Sequence, residues 1–260
     1  MPRTTRYGRM RSRRTGRGTQ RRWGHRVRKQ ARKEIVKLAE SKRDYVFNEN
    51  WINPGPIGIA DPAGDIFIAN AFGFLGAGTG DPDYIGNEIL DPFLVLRLQV
   101  SVLYNTLAAS FNTIPTLRVS AYLVAINDQL ATTVVPRLTS VAEDNTLFVK
   151  HPGSPSHFLW QFNSQNVTVI KKKTVMFMGT DVSGATPTKV KTMKLSKRLR
   201  GKKKFEQTIT AGGALATQPY LKGWNYYWIV ISQWSNGYIA ASSTNPVIIS
   251  GDRYVYFKDF

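Results

Sequence analysis

The sequence predicts an all-β protein, either a sandwich or a barrel. Apolar and polar residues alternate over several segments, most clearly between Leu94 and Val102, where every second residue is apolar. Such segments are rich in Val, Ile, Thr and aromatic residues and are separated by turn formers. After residue 44 neither a long helical period nor a regular exchange of strand and helix is visible, which favours packed antiparallel sheets.

Each predicted strand is assigned from this period of two. The strongest assignments are 93–102 and 117–126, where small or aliphatic side chains face polar ones. A short strand is also expected around Tyr45, Val46 and Phe47. The remaining predicted strands are 158–162, 166–170, 174–178, 189–195, 204–210, 225–233, 238–242 and 253–258.

The N-terminal segment carries most of the net charge. The chain has 260 residues and a formal net charge of +19, and residues 1–33 hold 12 Arg and 2 Lys but no acid. Residues 1–25 have almost nothing apolar to bury, so we expect disorder there. In 26–43, Val27, Ala31, Ile35 and Leu38 share one helical face, which predicts a short basic amphipathic helix. We therefore predict an arm over 1–43 and a body over 44–260.

Arginine outnumbers lysine in the arm, and this favours nucleic acid as its partner. Guanidinium groups bind phosphate bidentately and stack on bases, and Tyr7 and Trp23 are interleaved with them. A nuclear localisation signal is the simpler interpretation, and the same basic runs serve both roles. The predicted nucleic-acid-binding residues are Arg3, Arg6, Arg9, Arg11, Arg13, Arg14, Arg17, Arg21, Arg22, Arg26, Arg28, Lys29, Arg32 and Lys33.

Residues 44–91 form an acidic segment that is rich in glycine and proline. The segment has eight acids and no Lys or Arg. Apart from the short strand near Tyr45, it is predicted to be a long folded loop. The acids suggest docking on a basic surface of a neighbouring copy. A calcium site at Asp81, Asp83, Glu88 and Asp91 is the weaker alternative because the spacing does not fit a calcium-binding loop.

A second basic cluster occupies residues 171–204, which hold 10 Lys and 2 Arg. Contact with packaged nucleic acid, binding of a sulfated glycan, and docking of the acidic segment are competing roles. A solvated surface without a partner is the plainest alternative. The candidate second basic surface consists of Lys171, Lys172, Lys173, Lys197, Arg198, Arg200, Lys202, Lys203 and Lys204.

Catalysis is not expected. Cysteine is absent, which excludes disulfides and thiolate chemistry. No nucleophile elbow, zinc-protease motif or phosphate-binding glycine loop is found, and His151 and His157 lie in a Pro/Ser-rich stretch typical of a surface loop. No cofactor, metal or membrane-spanning segment is predicted.

Three features resemble the capsid proteins of circovirus-like viruses, which have circular single-stranded DNA genomes. These features are the acid-free Arg-rich N-terminus, the basic stretch 194–202, and the ending, where the aromatic run 224–232 precedes a last strand at 253–258. The resemblance covers 1–30 and about 165–260, whereas 44–165 has no counterpart. It implies an eight-stranded antiparallel jelly roll with long loops and a T=1 icosahedral shell of 60 copies. It also implies an arm that faces the genome and directs nuclear entry.

The sequence therefore predicts a self-assembling capsid protein, found in the virion and in the host nucleus during assembly. Its expected partners are further copies of itself, viral single-stranded DNA, nuclear import factors and a host-surface glycan. Two alternatives are a basic-tailed nucleic-acid-binding protein that does not assemble, as in ribosome-associated proteins, and the coat protein of a small RNA virus.

Overall fold

Twelve strands make up most of the chain that the computed structural model describes. That part comprises residues 24, 26–31, 34, 40–52, 65–76, 83, 87–103, 116–127, 147–149, 161–178, 188–209, 215–234 and 247–259. The chain divides into two compact units, Met1–Glu40 and Ser41–Phe260, and each is described by itself. The strands are β1 Glu40–Ile52, β2 Asp65–Asn70, β3 Glu88–Leu103, β4 Leu117–Asn127, β5 Phe148–Val149, β6 Gln161–Phe162, β7 Val167–Phe177, β8 Thr188–Arg198, β9 Lys202–Ile209, β10 Leu215–Leu221, β11 Trp224–Trp234 and β12 Val247–Asp259.

The strands form two main sheets and one small pair. A six-stranded sheet has the order β1-β12-β3-β9-β10, with β8 also paired to β3. A four-stranded sheet has the order β2-β11-β4-β7, and β5 pairs with β6. β3 runs antiparallel to β12, β8 and β9, and β4 runs antiparallel to β11 and β7.

The strand order is that of a jelly roll. Without the pairs β5–β6 and β9–β10, eight strands remain, in the orders β1-β12-β3-β8 and β2-β11-β4-β7. Of these eight strands, consecutive ones lie in different sheets except β4 and β7, which are neighbours in one sheet, and this is the doubled Greek-key path of a jelly roll. The prediction of an all-β eight-stranded antiparallel jelly roll is confirmed, with two short additional pairings.

The core lies between the facing sheets. Alternation along β3 turns Leu94, Leu96 and Leu98 inward, where they pack with inward residues of β4 and with Trp228 of β11. Each such fully buried side chain contributes roughly 1.5–3 kcal/mol of transfer free energy. The period of two that was visible in the sequence is therefore the repeat that builds this core.

A second apolar cluster covers the outer face of the four-stranded sheet. Tyr122, Tyr227 and Ile229 lie there, and the β5–β6 pair packs over them through Phe148 and Phe162. The Phe148 and Phe162 ring centroids are 4.7 Å apart, and those of Tyr122 and Phe162 are 5.1 Å apart. The face of this sheet that would otherwise meet solvent is thus closed by the chain's own hairpin.

Several local predictions were wrong. Residues 166–170 and 174–178 belong to one strand, β7, because the intervening lysines continue the pleat. In 44–91, the short strand predicted near Tyr45 is confirmed as part of β1, but the remainder, predicted to be a loop, contains all of β2 and the start of β3. The helix predicted for 26–43 is found at 26–31, whereas 40–43 begin β1. The strand predicted at 238–242 lies outside the described residues.

Candidate nucleic-acid interface

Three of the predicted arm residues fall in the described part of the chain. Arg26, Arg28 and Lys29 lie on the helical stretch 26–31, and all three are exposed. Val27 on the same stretch is exposed as well. The remaining predicted arm residues, Arg3 to Arg22 with Arg32 and Lys33, lie outside the described residues, so their role stays a prediction.

The lysines of β7 and β8 close one edge of the sandwich. Lys171 lies opposite Leu123 of β4, and Lys191 of β8 lies opposite Val100 of β3, which are inward-facing core positions. Lys171 Nζ reaches across the gap to donate to the carbonyl of Ser196 at 2.8 Å, and Lys191 Nζ donates to that of Met176. Their aliphatic stems cover apolar surface while the ammonium groups stay at the rim. Charges turned inward on edge strands also discourage pairing with another chain.

The lysines of β9 point in alternate directions. Lys202 and Lys204 are exposed and pair with Glu88 of β3, with N–O distances of 2.9 and 3.6 Å. Lys203 faces the other way, and its Nζ donates to the Tyr226 hydroxyl at 3.2 Å. Glu88 belongs to the acidic segment, so this part of the predicted docking between acidic and basic segments occurs within one chain.

The nine residues of the candidate second basic surface therefore do not form one surface. Lys171 and Lys173 lie at the β7–β8 edge. Lys172 lies on the outer face of the four-stranded sheet, over the ring of its neighbour Tyr122, with Nζ 5.2 Å from the ring centroid. Lys197, Arg198 and Arg200 are exposed along β8 and just after it. The lysine-rich stretch is one cluster in sequence and several separate places in the fold.

An aromatic surface that the sequence analysis missed lies on the outer face of the six-stranded sheet. Its members are Tyr45 and Phe47 of β1, Phe93 of β3, and Tyr254 and Tyr256 of β12, and we call them the aromatic platform. Successive ring centroids are 4.2 Å apart for Tyr45–Phe47, 5.6 Å for Phe47–Tyr254, 6.4 Å for Tyr254–Tyr256 and 6.1 Å for Tyr256–Phe93. Tyr45, Phe47 and Tyr256 are 43%, 53% and 38% exposed.

Arginine side chains surround this platform. The guanidinium carbon of Arg43 lies 5.3 Å from the Tyr45 centroid, that of Arg97 5.1 Å from Tyr254, and that of Arg198 5.8 Å from Phe93. Each arginine lies over a different ring, at the distance of a cation–π contact. A sequence signal existed, since Tyr45 and Phe47, like Tyr254 and Tyr256, are two residues apart and so share one face of a strand.

A polar cleft adjoins the platform at Arg97. It measures about 510 Å³ and is lined by Arg97, Gln99, Lys173, Thr192, Lys194 and Asp252, among others. Asp252 and Lys194 are the cross-strand neighbours of Arg97 on either side. The cleft has the volume of a typical small-molecule site, roughly 300–1,000 Å³, but its lining is charged where such sites are mostly apolar.

The described residues show neither a cluster of metal ligands nor a membrane-spanning helix. They contain no group of three or more His, Cys, Asp or Glu side chains placed to hold a metal ion. They also contain no helix that is both long and apolar enough to cross a bilayer. Asp81, His151 and His157 lie outside them.

Comparison with known proteins gives little. No family model and no curated protein matches the chain. Among solved structures, one similar chain is VP1 of Trichodysplasia spinulosa-associated polyomavirus in complex with GM1 oligosaccharide. The identity is 10% over 86% of this chain and 95% of that chain, with a TM-score of 0.19. The assignment of the jelly-roll fold depends on the strand order of the two sheets.

Proposed function

We propose that this chain is a viral capsid protein that assembles into a closed shell and packages nucleic acid through its Arg-rich arm. One observation carries the proposal: an acid-free segment with 12 Arg and 2 Lys within 33 residues precedes a jelly-roll body. Jelly rolls are a common fold of viral capsid subunits, and the arm supplies charge for phosphates. The role is structural rather than enzymatic.

The finer proposal follows from the resemblance to circovirus-like capsid proteins. A T=1 shell of 60 copies would bring about 840 arm charges inside, enough to offset on the order of a thousand phosphates. The genome would be single-stranded DNA, and the basic runs of the arm would also be read by nuclear import factors. The protein would then act in the host nucleus and in the virion, with a host-surface glycan as a further partner.

The arm can be tested in the full-length protein with a matched control. One variant replaces eight arm residues, Arg3, Arg6, Arg9, Arg11, Arg13, Arg14, Arg17 and Arg21, with Gln. The control removes the same charge from several places on the body and keeps Lys171 and Lys203; it replaces with Gln the eight residues Lys150, Lys172, Lys189, Lys197, Arg200, Lys202, Lys204 and Lys222. Negative-stain electron microscopy and the 260/280 nm absorbance ratio report particles and their nucleic acid.

We expect wild type and control to form uniform particles that contain nucleic acid, and the arm variant to lose most of that content. Equal packaging by the arm variant would refute the role of the arm. A wild type that stays monomeric or dimeric but binds nucleic acid in a salt-dependent way would identify a non-assembling binding protein. Digesting the extracted nucleic acid with DNase or RNase shows whether the packaged nucleic acid is DNA or RNA.

A further inference from the structure

The aromatic platform is exposed surface of an unusual kind. Three of its five rings are more than a third exposed, although they touch one another in a continuous row across β1, β12 and β3. Single exposed aromatics need no explanation, but a contiguous exposed group typically marks an interaction site. The rings are also held in place, because they stand on neighbouring strands of one sheet.

The charges around the platform favour an anionic partner. The outward side chains beside it on β1, β3, β8 and β12 include four cations, Arg43, Arg97, Lys194 and Arg198, and one acid, Asp252. Three of those cations already lie over rings of the platform. Aromatic faces combined with arginine are what single-stranded nucleic acid binds, since bases stack on the rings while guanidinium groups meet phosphates.

We propose that the aromatic platform is a stacking surface for single-stranded nucleic acid. Unpaired bases lie on Tyr45, Phe47 and Tyr256, and the backbone passes Arg43, Arg97 and Arg198 toward the cleft at Lys194. The inference builds on the proposed function, because it gives the packaged strand a second contact on the jelly roll besides the arm.

The same face of a second copy fits the platform less well than single-stranded nucleic acid does. In a two-fold contact each copy presents the same patch, so the arginines around one platform would meet those around the other. Like charges brought together at an interface cost free energy. A phosphate backbone meets the same arginines with opposite charge.

Stacking also predicts a preference between nucleic acids. In a duplex the base faces are already stacked on one another, so the protein meets the backbone and the base edges in the grooves but no free base face. The platform should therefore bind single strands better than duplexes and be tolerant of sequence, because every base has a π-face. The arm alone would give salt-dependent binding with little of this preference.

The test uses the full-length protein and 20-nucleotide DNA probes. A single-stranded probe that carries 5-iodouracil is crosslinked by ultraviolet light, and the attached peptides are identified by mass spectrometry. In parallel, fluorescence anisotropy gives Kd for single-stranded and duplex probes with the double variant Phe47→Ala/Tyr256→Ala. The control is Trp224→Ala, which removes a 46% exposed aromatic from β11 in the other sheet.

We expect wild-type crosslinks at Phe47, Tyr45 or Tyr256 as well as in the arm. The double variant should bind the single strand about tenfold or more weakly and the duplex unchanged, with the same salt dependence. The aromatic replacement Phe47→Tyr/Tyr256→Phe should keep wild-type affinity, as should the Trp224→Ala control.

Crosslinks confined to residues 1–33, with an unchanged ratio of single-strand to duplex affinity, would overturn the inference and leave the proposed function intact. Loss of particle assembly with that ratio unchanged would assign the platform to a contact between copies and would also overturn it. A wild-type protein that binds neither probe would instead refute the proposed function itself.

Discussion

Both outer faces of this sandwich carry tyrosine side chains, but these are buried on one face and partly exposed on the other. On the four-stranded sheet, Tyr122, Tyr227 and Ile229 are buried beneath the β5–β6 pair. On the six-stranded sheet, a comparable aromatic row is substantially exposed among the described residues. The chain covers the outer face of one sheet with its own β5–β6 pair. Exposure of the aromatic platform is therefore not a necessary result of the jelly-roll fold.

Tyr227, on the covered face, is almost completely shielded from solvent. Burial, with a smaller contribution from Tyr220, raises the pKa of the Tyr227 phenol above its usual value. On both faces a cation lies over a tyrosine ring, Lys172 over Tyr122 and Arg97 over Tyr254. The faces differ in cover and also in composition, since aliphatic side chains surround the tyrosines of the covered face, whereas arginines surround the rings of the platform.

The largest expected effect on the free energy of unfolding is the difference between removing one ring from the covered face and one from the platform. Phe148→Ala empties a site that is fully buried between Phe162 and the four-stranded sheet, and should lower the free energy of unfolding by about 3–5 kcal/mol. Phe47→Ala on the platform should cost less than about 1 kcal/mol, because Phe47 is already 53% exposed. Urea unfolding of both variants measures the difference, and similar losses would contradict the comparison.

The anchoring of β1 comes next, since this strand brings two rings to the platform. Lys42 and Asp259 form a buried ion pair with an N–O distance of 3.3 Å, and Lys42 Nζ also donates to the Asp83 carbonyl at 2.7 Å. Asp259→Asn removes the carboxylate charge that pairs with the buried Lys42 ammonium and should cost about 3 kcal/mol.

The apolar double variant Lys42→Met/Asp259→Leu controls for this change. It removes both charges, so it should regain most of the lost stability. Thermal unfolding ranks the three proteins. If the double variant is less stable than Asp259→Asn, the loss comes from packing and not from an unpaired charge.

The smallest effect is expected at Glu88. Hydrogen bonding to Lys202, together with the charges of Lys202 and Lys204, holds the pKa of this carboxyl below its usual value of 4.5. A lowered pKa in the folded state stabilises the protein above the ordinary carboxyl pKa, and this stabilisation is lost as pH falls through the lowered value. Glu88→Gln should therefore cost less than about 1 kcal/mol at neutral pH and nothing in strong acid. Denaturant unfolding at pH 7 and pH 3 tests whether the Glu88 ion pairs stabilise the protein. Equal effects of the substitution at both pH values would show that these ion pairs are not the cause of the loss.

Much of the fold could be predicted because alternation is a local property. β3, β4 and β12 show it in consecutive residues, and each of them borders the core. β7 was divided in two because lysines at inward positions look polar in sequence. Only the paired sheets show that their stems cover the sandwich edge while their charges remain outside.

The platform could not be predicted in the same way. Its rings come from β1, β3 and β12, and which strands become neighbours depends on the non-local pairing of a jelly roll. The spacing of Tyr45 and Phe47, like that of Tyr254 and Tyr256, predicts an aromatic face on one strand. The sequence does not indicate that these two strands are neighbours in the sheet. The same limit applies to the basic cluster 171–204, whose neighbours in sequence separate in space.

The lysines at the edge formed by β7 and β8 affect how copies of the chain can pair with one another. A strand at the end of a sheet normally offers its backbone to any other strand, and repeated addition leads to open-ended fibres. Along β7 and β8, ammonium groups of the chain itself occupy the Ser196 and Met176 carbonyls. In the assembly proposed above, growth would then depend on contacts other than strand pairing through that edge.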